Sequence, residues 1–164
     1  MSFSISATEH TVAFPSKLKS SLAGHIYNVI LQEDLDNGRI RGLQNYTHFD
    51  QYEDKAAPTA FRAKVVDRAA NGNYYVLVTA IDVNAPTVLI YDDPIIKETN
   101  DPKFKHPKYF YNAAGNTVRG MELSVGDIFE LSESGFTNIA DIDVEAKTLV
   151  KANATTGKLD KTTA

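Results

Sequence analysis

Four histidines and 21 carboxylates in a chain of 164 residues are the groups that could bind a metal or move protons. His48 and Asp50 stand two apart, so an extended segment would put them on one face, with Glu53 and Asp54 close behind. Imidazole and carboxylate oxygens in such a set can hold a divalent ion. No second histidine is near in sequence, and a solvated acidic loop is the competing reading. His10 and His25 flank the N-terminal stretch and His106 precedes a proline, so each reads as a surface or turn residue. Asp141, Asp143 and Glu145 alternate with Ile142 and Val144, the pattern of a strand with one wet and one buried face. Calcium held by the three carboxylates is the alternative. Ser132-Glu-Ser-Gly135 is not a G-x-S-x-G elbow, and the glycines form neither G-x-x-x-x-G-K-[ST] nor G-x-G-x-x-G. The absence of cysteine removes disulfides, thiolate nucleophiles and cysteine zinc sites together. The expectation is a protein that is not an enzyme, with no catalytic residue, no metal and no cofactor.

Recognition of a partner is better supplied. Lys103, Lys105 and Lys108 alternate with Phe104 and His106 and lead into Tyr109-Phe110-Tyr111, inside a proline-punctuated excursion running from Lys97 to Tyr111. Long loops on a β-scaffold often carry recognition, and aromatics beside cations are common at protein interfaces. Base stacking on a single nucleic-acid strand is one competitor, and a loop folded back with its aromatics in the core is another. Seventeen Lys and Arg against 21 Asp and Glu give a net charge of −4, which argues against a polyanion as the main partner. Residues 1–24 are Ser/Thr/Ala-rich, with Phe14, Leu18 and Leu22 among their scattered apolar members. Ordering them costs on the order of 24 kcal/mol, equivalent to roughly 1000 Å² of apolar burial. Such an arm stays mobile or orders against a larger surface, either its own barrel or a neighbouring subunit. The partner-binding candidates are therefore Phe14, Leu18, Leu22, Lys103, Phe104, Lys105 and Tyr109.

These segments need a frame. Ile26 to Leu31, Phe61 to Val66, Tyr74 to Val83, Thr87 to Tyr91, Tyr109 to Asn112, Thr117 to Leu123, Asp127 to Leu131, Asp141 to Val144 and Thr148 to Ala152 are short strand-like runs divided by turn residues. Asp36-Asn37-Gly38 predicts a hairpin into Arg39 to Tyr46, residues 47–60 a loop or irregular edge, and the three central runs consecutive antiparallel strands. Tyr74 to Val83 has few polar positions and is expected to be buried on both sides. The fold class is all-β, a small antiparallel barrel or sandwich, with closure favoured because it hides edges. The expected organisation is an arm at 1–24, a β-domain at 25–152 and a tail at 153–164. No apolar run approaches the ~20 residues of a membrane span, and the N-terminus lacks the basic and apolar regions of a secretory signal.

The Ser/Thr-rich arm through Phe14-Pro-Ser-Lys17, the cysteine-free short strands, the turn and strand Leu123-Ser-Val-Gly-Asp-Ile-Phe-Glu-Leu131 and the ending Asn153-Ala-Thr-Thr-Gly-Lys158 together resemble tailed-bacteriophage head proteins of the capsid decoration or cement type. The resemblance is one of overall profile. It implies a homo-oligomeric virion protein, made in the host cytoplasm, that binds the major capsid protein or another virion protein, without nucleic acid or membrane as partner. Deleting residues 1–24 is then expected to leave a folded domain that assembles poorly. The runner-up is a β-barrel module for a carbohydrate or other small ligand, with Tyr91, Tyr109 and Tyr111 as stacking surfaces; third is a metal enzyme using His48 and Asp50.

Overall fold

A computed structural model describes residues 4–20, 24–47, 51–94 and 100–164. Among the described residues eleven strands are formed: β1 (Ala13–Phe14), β2 (Ile26–Ile30), β3 (Ile40–Thr47), β4 (Gln51–Lys55), β5 (Arg62–Arg68), β6 (Tyr74–Ala80), β7 (Thr87–Tyr91), β8 (Thr117–Glu122), β9 (Ile128–Leu131), β10 (Leu149–Ala152) and β11 (Leu159–Lys161). They make two layers: a six-stranded sheet in the order β1-β9-β6-β5-β10-β11, and a closed barrel β2-β4-β3-β7-β8. The expected all-β class and a closed barrel are both present, together with an open sheet beside the barrel.

Two apolar clusters account for the layering. Val29, Leu31, Leu35, Leu43, Val88, Ile90 and Val118 fill the barrel. Ile40, Leu89 and Met121 lie on the opposite side of the barrel wall, where they meet Phe61, Val65, Val76, Val78 and Phe129 of the sheet side. β7, from Thr87 to Ile90, and the first half of β3, from Ile40 to Leu43, are therefore buried on both faces. β6 does sit mid-sheet, but its second face is only half-buried. Phe61 and Phe129 are essentially inaccessible, and each such side chain removed from water stabilises the fold by about 1.5–3 kcal/mol.

Several pairings differ from the sequence reading. β2 and β3 form no hairpin: β2 lies parallel to β4 and antiparallel to β8, and β3 lies between β4 and β7. Gly38 does take a positive φ of 86°, yet its neighbours bind distant segments, Asn37 through Asp92 and Asn112, and Asp36 through the arm. Part of the expected 47–60 loop is β4, whose Asp54 points into the barrel and is held by Arg41 at 2.7 Å. β5 and β6 form a hairpin, but β7 leaves them for the barrel. Tyr109 to Asn112 contributes isolated bridges, Ile5 to Phe110 and Leu35 to Asn112, in place of a strand. Asp141 to Val144 is a turn region, in which Asp143 Oδ1 accepts the Glu145 and Ala146 amides. β10 pairs instead with β5 and with β11. The supposed tail, 153–164, thus supplies a sheet strand with Leu159 buried.

Candidate interaction surface

The arm and the excursion, separated by about a hundred residues, lie against each other. Backbone bonds run from Ser6 N to Tyr109 O (3.1 Å), Tyr111 N to Ser4 O (2.9 Å) and His10 N to Lys108 O (2.6 Å). Lys108 Nζ reaches Glu9 at 3.0 Å, and that hydrogen bond and charge hold the ammonium above its ordinary pKa. The excursion is shaped by its prolines into two short 3-10 turns, Pro102–Lys105 and Pro107–Tyr109. Asp101 accepts the Lys103 amide at the first and His106 the Lys108 amide at the second, replacing partners the ladder cannot give. Beyond this contact the arm continues as β1 against β9, and Lys19 N reaches Asp127 at 3.2 Å.

This docking sorts the candidate residues. Lys103 and Lys105 are exposed, Phe104 is half-buried, and Phe14 keeps 45% of its surface on the sheet edge. Lys103 Nζ lies 5.4 Å from the Phe104 ring centroid. Leu18 and Tyr109 are corrections: at 1% and 8% exposure they pack inside their own chain and cannot contact a partner. Tyr109 and Phe104 meet in a T-shaped pair at 5.3 Å, and the burial of Tyr109 fits the folded-back reading for it. Leu22 and Lys97 lie outside the described residues. Leu18 and Ala13 belong to the core between the layers, so removing residues 1–24 would open that core and destabilise the remainder.

Sequence reasoning missed the role of His10. It is mostly buried, stacks on Tyr111 at 5.1 Å, and lies with Nδ1 2.6 Å from Asp36 Oδ1 and Nε2 2.5 Å from Ser6 Oγ. Asp36 Oδ2 accepts the Thr11 amide at 3.0 Å and Arg39 at 2.8 Å. Arg39 is buried, which lowers its pKa, and Asp36 opposes that shift. One carboxylate thus fastens the arm to the β2–β3 connection. His10 also lines a groove of about 980 Å³ whose other walls include Phe14, Arg68, Ser132, Glu133 and Phe136.

The other aromatic concentration is at one mouth of the barrel. Tyr27 and Tyr52 pack on the barrel core edge to face at 5.5 Å, and the exposed Tyr46 leans on Tyr52 at 5.1 Å. Asn45, at φ 50°, sits within a register shift of β3 that turns Tyr46 toward this position. Of the proposed stacking residues, Tyr109 is buried, one face of Tyr111 is covered by His10, and Tyr91 is half-buried.

Among the described residues no three His, Asp or Glu side chains are grouped closely enough to hold a metal ion. His48 and Asp50 lie outside them; Glu53 accepts Asn45 at 2.7 Å and Asp54 is committed to Arg41 and the Gln32 amide. No helix among the described residues is long and apolar enough to cross a membrane. Comparison with protein-family models, curated proteins and solved structures finds no match to the chain.

Proposed function

We propose that this is a structural virion protein that binds and stabilises a phage capsid lattice, with the excursion and the adjoining arm as its contact surface. The observation that carries the reading is the three-bond seam between arm and excursion. It presents two contact segments as one preorganised ledge, and a surface ordered beforehand loses less entropy on binding. Lys103, Lys105, the rim of Phe104 and Phe14 are the contact residues, and the partner is the major capsid protein or another virion protein. Copies repeated over a lattice stabilise it by mass action, because they bind the assembled shell and not its dissociated parts. Association between copies adds effective concentration, so each contact can be modest.

The test uses capsid shells assembled without the protein. Wild type should co-sediment with them and raise their disruption temperature, and Lys103→Glu combined with Lys105→Glu should weaken binding about tenfold or more with an unchanged melting temperature. Wild type that leaves shells unbound, or a double variant that binds equally well, would end the proposal. The tyrosine-lined barrel mouth favours a second reading, a small-ligand module. Ligand-dependent stabilisation of the isolated protein that Tyr46→Ala abolishes would favour it instead.

A further inference from the structure

From the Ser6–His10–Asp36 relay beside the groove we infer that Ser6 is an activated nucleophile able to take an acyl group from a small ester. The inference is independent of the capsid reading. The arrangement meets two of the geometric requirements for nucleophilic catalysis: nucleophile and base in hydrogen-bond contact, and the base oriented by a third group. Ser6 Oγ lies 2.5 Å from His10 Nε2, and His10 Nδ1 lies 2.6 Å from Asp36 Oδ1. A carboxylate only accepts, so Nδ1 carries the proton, and whenever Nε2 is unprotonated its lone pair faces the Ser6 hydroxyl. Thr8 competes for that proton over longer distances, its carbonyl at 3.3 Å and its hydroxyl at 2.9 Å from Ser6 Oγ; the hydroxyl can also act as donor, to Ser6 Oγ or to Nε2 at 3.4 Å.

Accessibility follows the order a nucleophilic relay needs. Ser6 is half-exposed, whereas the His10 and Asp36 side chains are 19% and 13% exposed. Asp36 is fixed independently of the histidine, since its other oxygen accepts Arg39 and the Thr11 amide. His10 forms part of the groove wall together with Phe14 and Phe136, and Ser6, outside that lining, is reached from its half-exposed side.

In the reaction Ser6 Oγ bonds to the ester carbonyl carbon as its proton passes to His10 Nε2. The carbon–oxygen bond to the alcohol then breaks, and Nε2 returns the proton to the departing oxygen. Water attacks the acyl-serine with His10 again taking and returning a proton, which releases the acid and restores the hydroxyl. Ser6 and His10 are the catalytic residues and Asp36 positions the ring. General-base assistance of this kind is worth about 10²–10⁴-fold, which corresponds to a slow esterase.

The full chain is treated with a fluorophosphonate and the adduct mapped by peptide mass spectrometry, alongside p-nitrophenyl acetate turnover. Ser6 should be labelled about 100-fold faster than any other serine, and Ser6→Ala should abolish both labelling and turnover. His10→Gln, verified as folded by circular dichroism, should slow labelling by a similar factor. Wild type unlabelled at Ser6 overturns the inference whatever the variants do. Equal labelling rates in wild type and His10→Gln would overturn it too, leaving the relay as a fastening of the arm.

Discussion

The core between sheet and barrel and the seam that fastens the arm are built from opposite materials. In the first, Phe61, Phe129, Val76 and Leu89 are sealed from water, and nothing directional is needed to hold them. In the second, one carboxylate, Asp36, gathers His10, Thr11 and Arg39, and three backbone bonds complete the attachment. Apolar burial contributes in proportion to area, whereas a hydrogen bond nets only about 0.5–1.5 kcal/mol because water offered the same partners. The core therefore sets global stability, and the first turn of the arm is the part that opens locally.

The largest effect that could break this contrast is Phe129→Ala. It should lower the unfolding free energy by about 3–5 kcal/mol in urea titration, with the whole molecule losing protection together; a loss under about 1 kcal/mol would mean that the layers are not held by this core. Next is Asp36→Asn, which replaces the charged acceptor of His10, Thr11 and Arg39 and should cost about 1.5–3 kcal/mol. In hydrogen exchange it should raise the rates of the Ser6, His10 and Tyr111 amides while leaving Val76 and Val88 protected. Uniform acceleration would show that arm and core open as one unit. The smallest concerns the start of the excursion. Burial holds the Asp92 carboxyl above its ordinary pKa, so the folded state binds that proton more tightly than the unfolded chain. This component of stability is present at low pH and lost as pH rises through the raised value. Asp92→Asn, which keeps an acceptor for the Asp93 amide, removes it. The variant's stability relative to wild type should thus increase as pH climbs through the carboxylate range, by less than about 1 kcal/mol.

What sequence could convey follows the same division. The β-branched runs at Ile26, Arg62, Tyr74, Thr87 and Thr117 are strands because such side chains fit a pleated, buried surface. Gln51-Tyr-Glu-Asp-Lys55 gave no such signal: four of its five residues are polar, and it is a strand because β2 and β3 pair with it from both sides. Alternation identifies strands and not their neighbours, which is why Asp36-Asn37-Gly38 looked like a hairpin. Its local geometry is indeed that of a turn. Gly38 has no room for a side chain, since a Cβ there would meet Leu131 Cδ1 at 2.3 Å. Lys103 and Lys105 were readable as exposed from charge alone, whereas Leu18 and Tyr109 were not readable as internal, because an isolated apolar residue in a polar stretch can turn either way. Ser6 and His10 stand four apart, but Asp36 is brought to them only by the tertiary fold.

The register of the outer strands bears on synthesis. Ala13 pairs with Leu131 and Ile26 with Met121, so while a ribosome emits the first hundred residues, β1 lacks its strand neighbour β9 and β2 has one side of its ladder open. The barrel closes when β8 emerges, β9 joins β1 to β6 within a dozen residues of it, and β10 and β11 extend the sheet later still. Such distant pairings slow folding and leave unpaired strands exposed in the meantime. A polar arm and a strand as hydrophilic as β4 are then well suited to the wait, since a nascent chain whose early segments attract water is less inclined to stick to its neighbours on the same message.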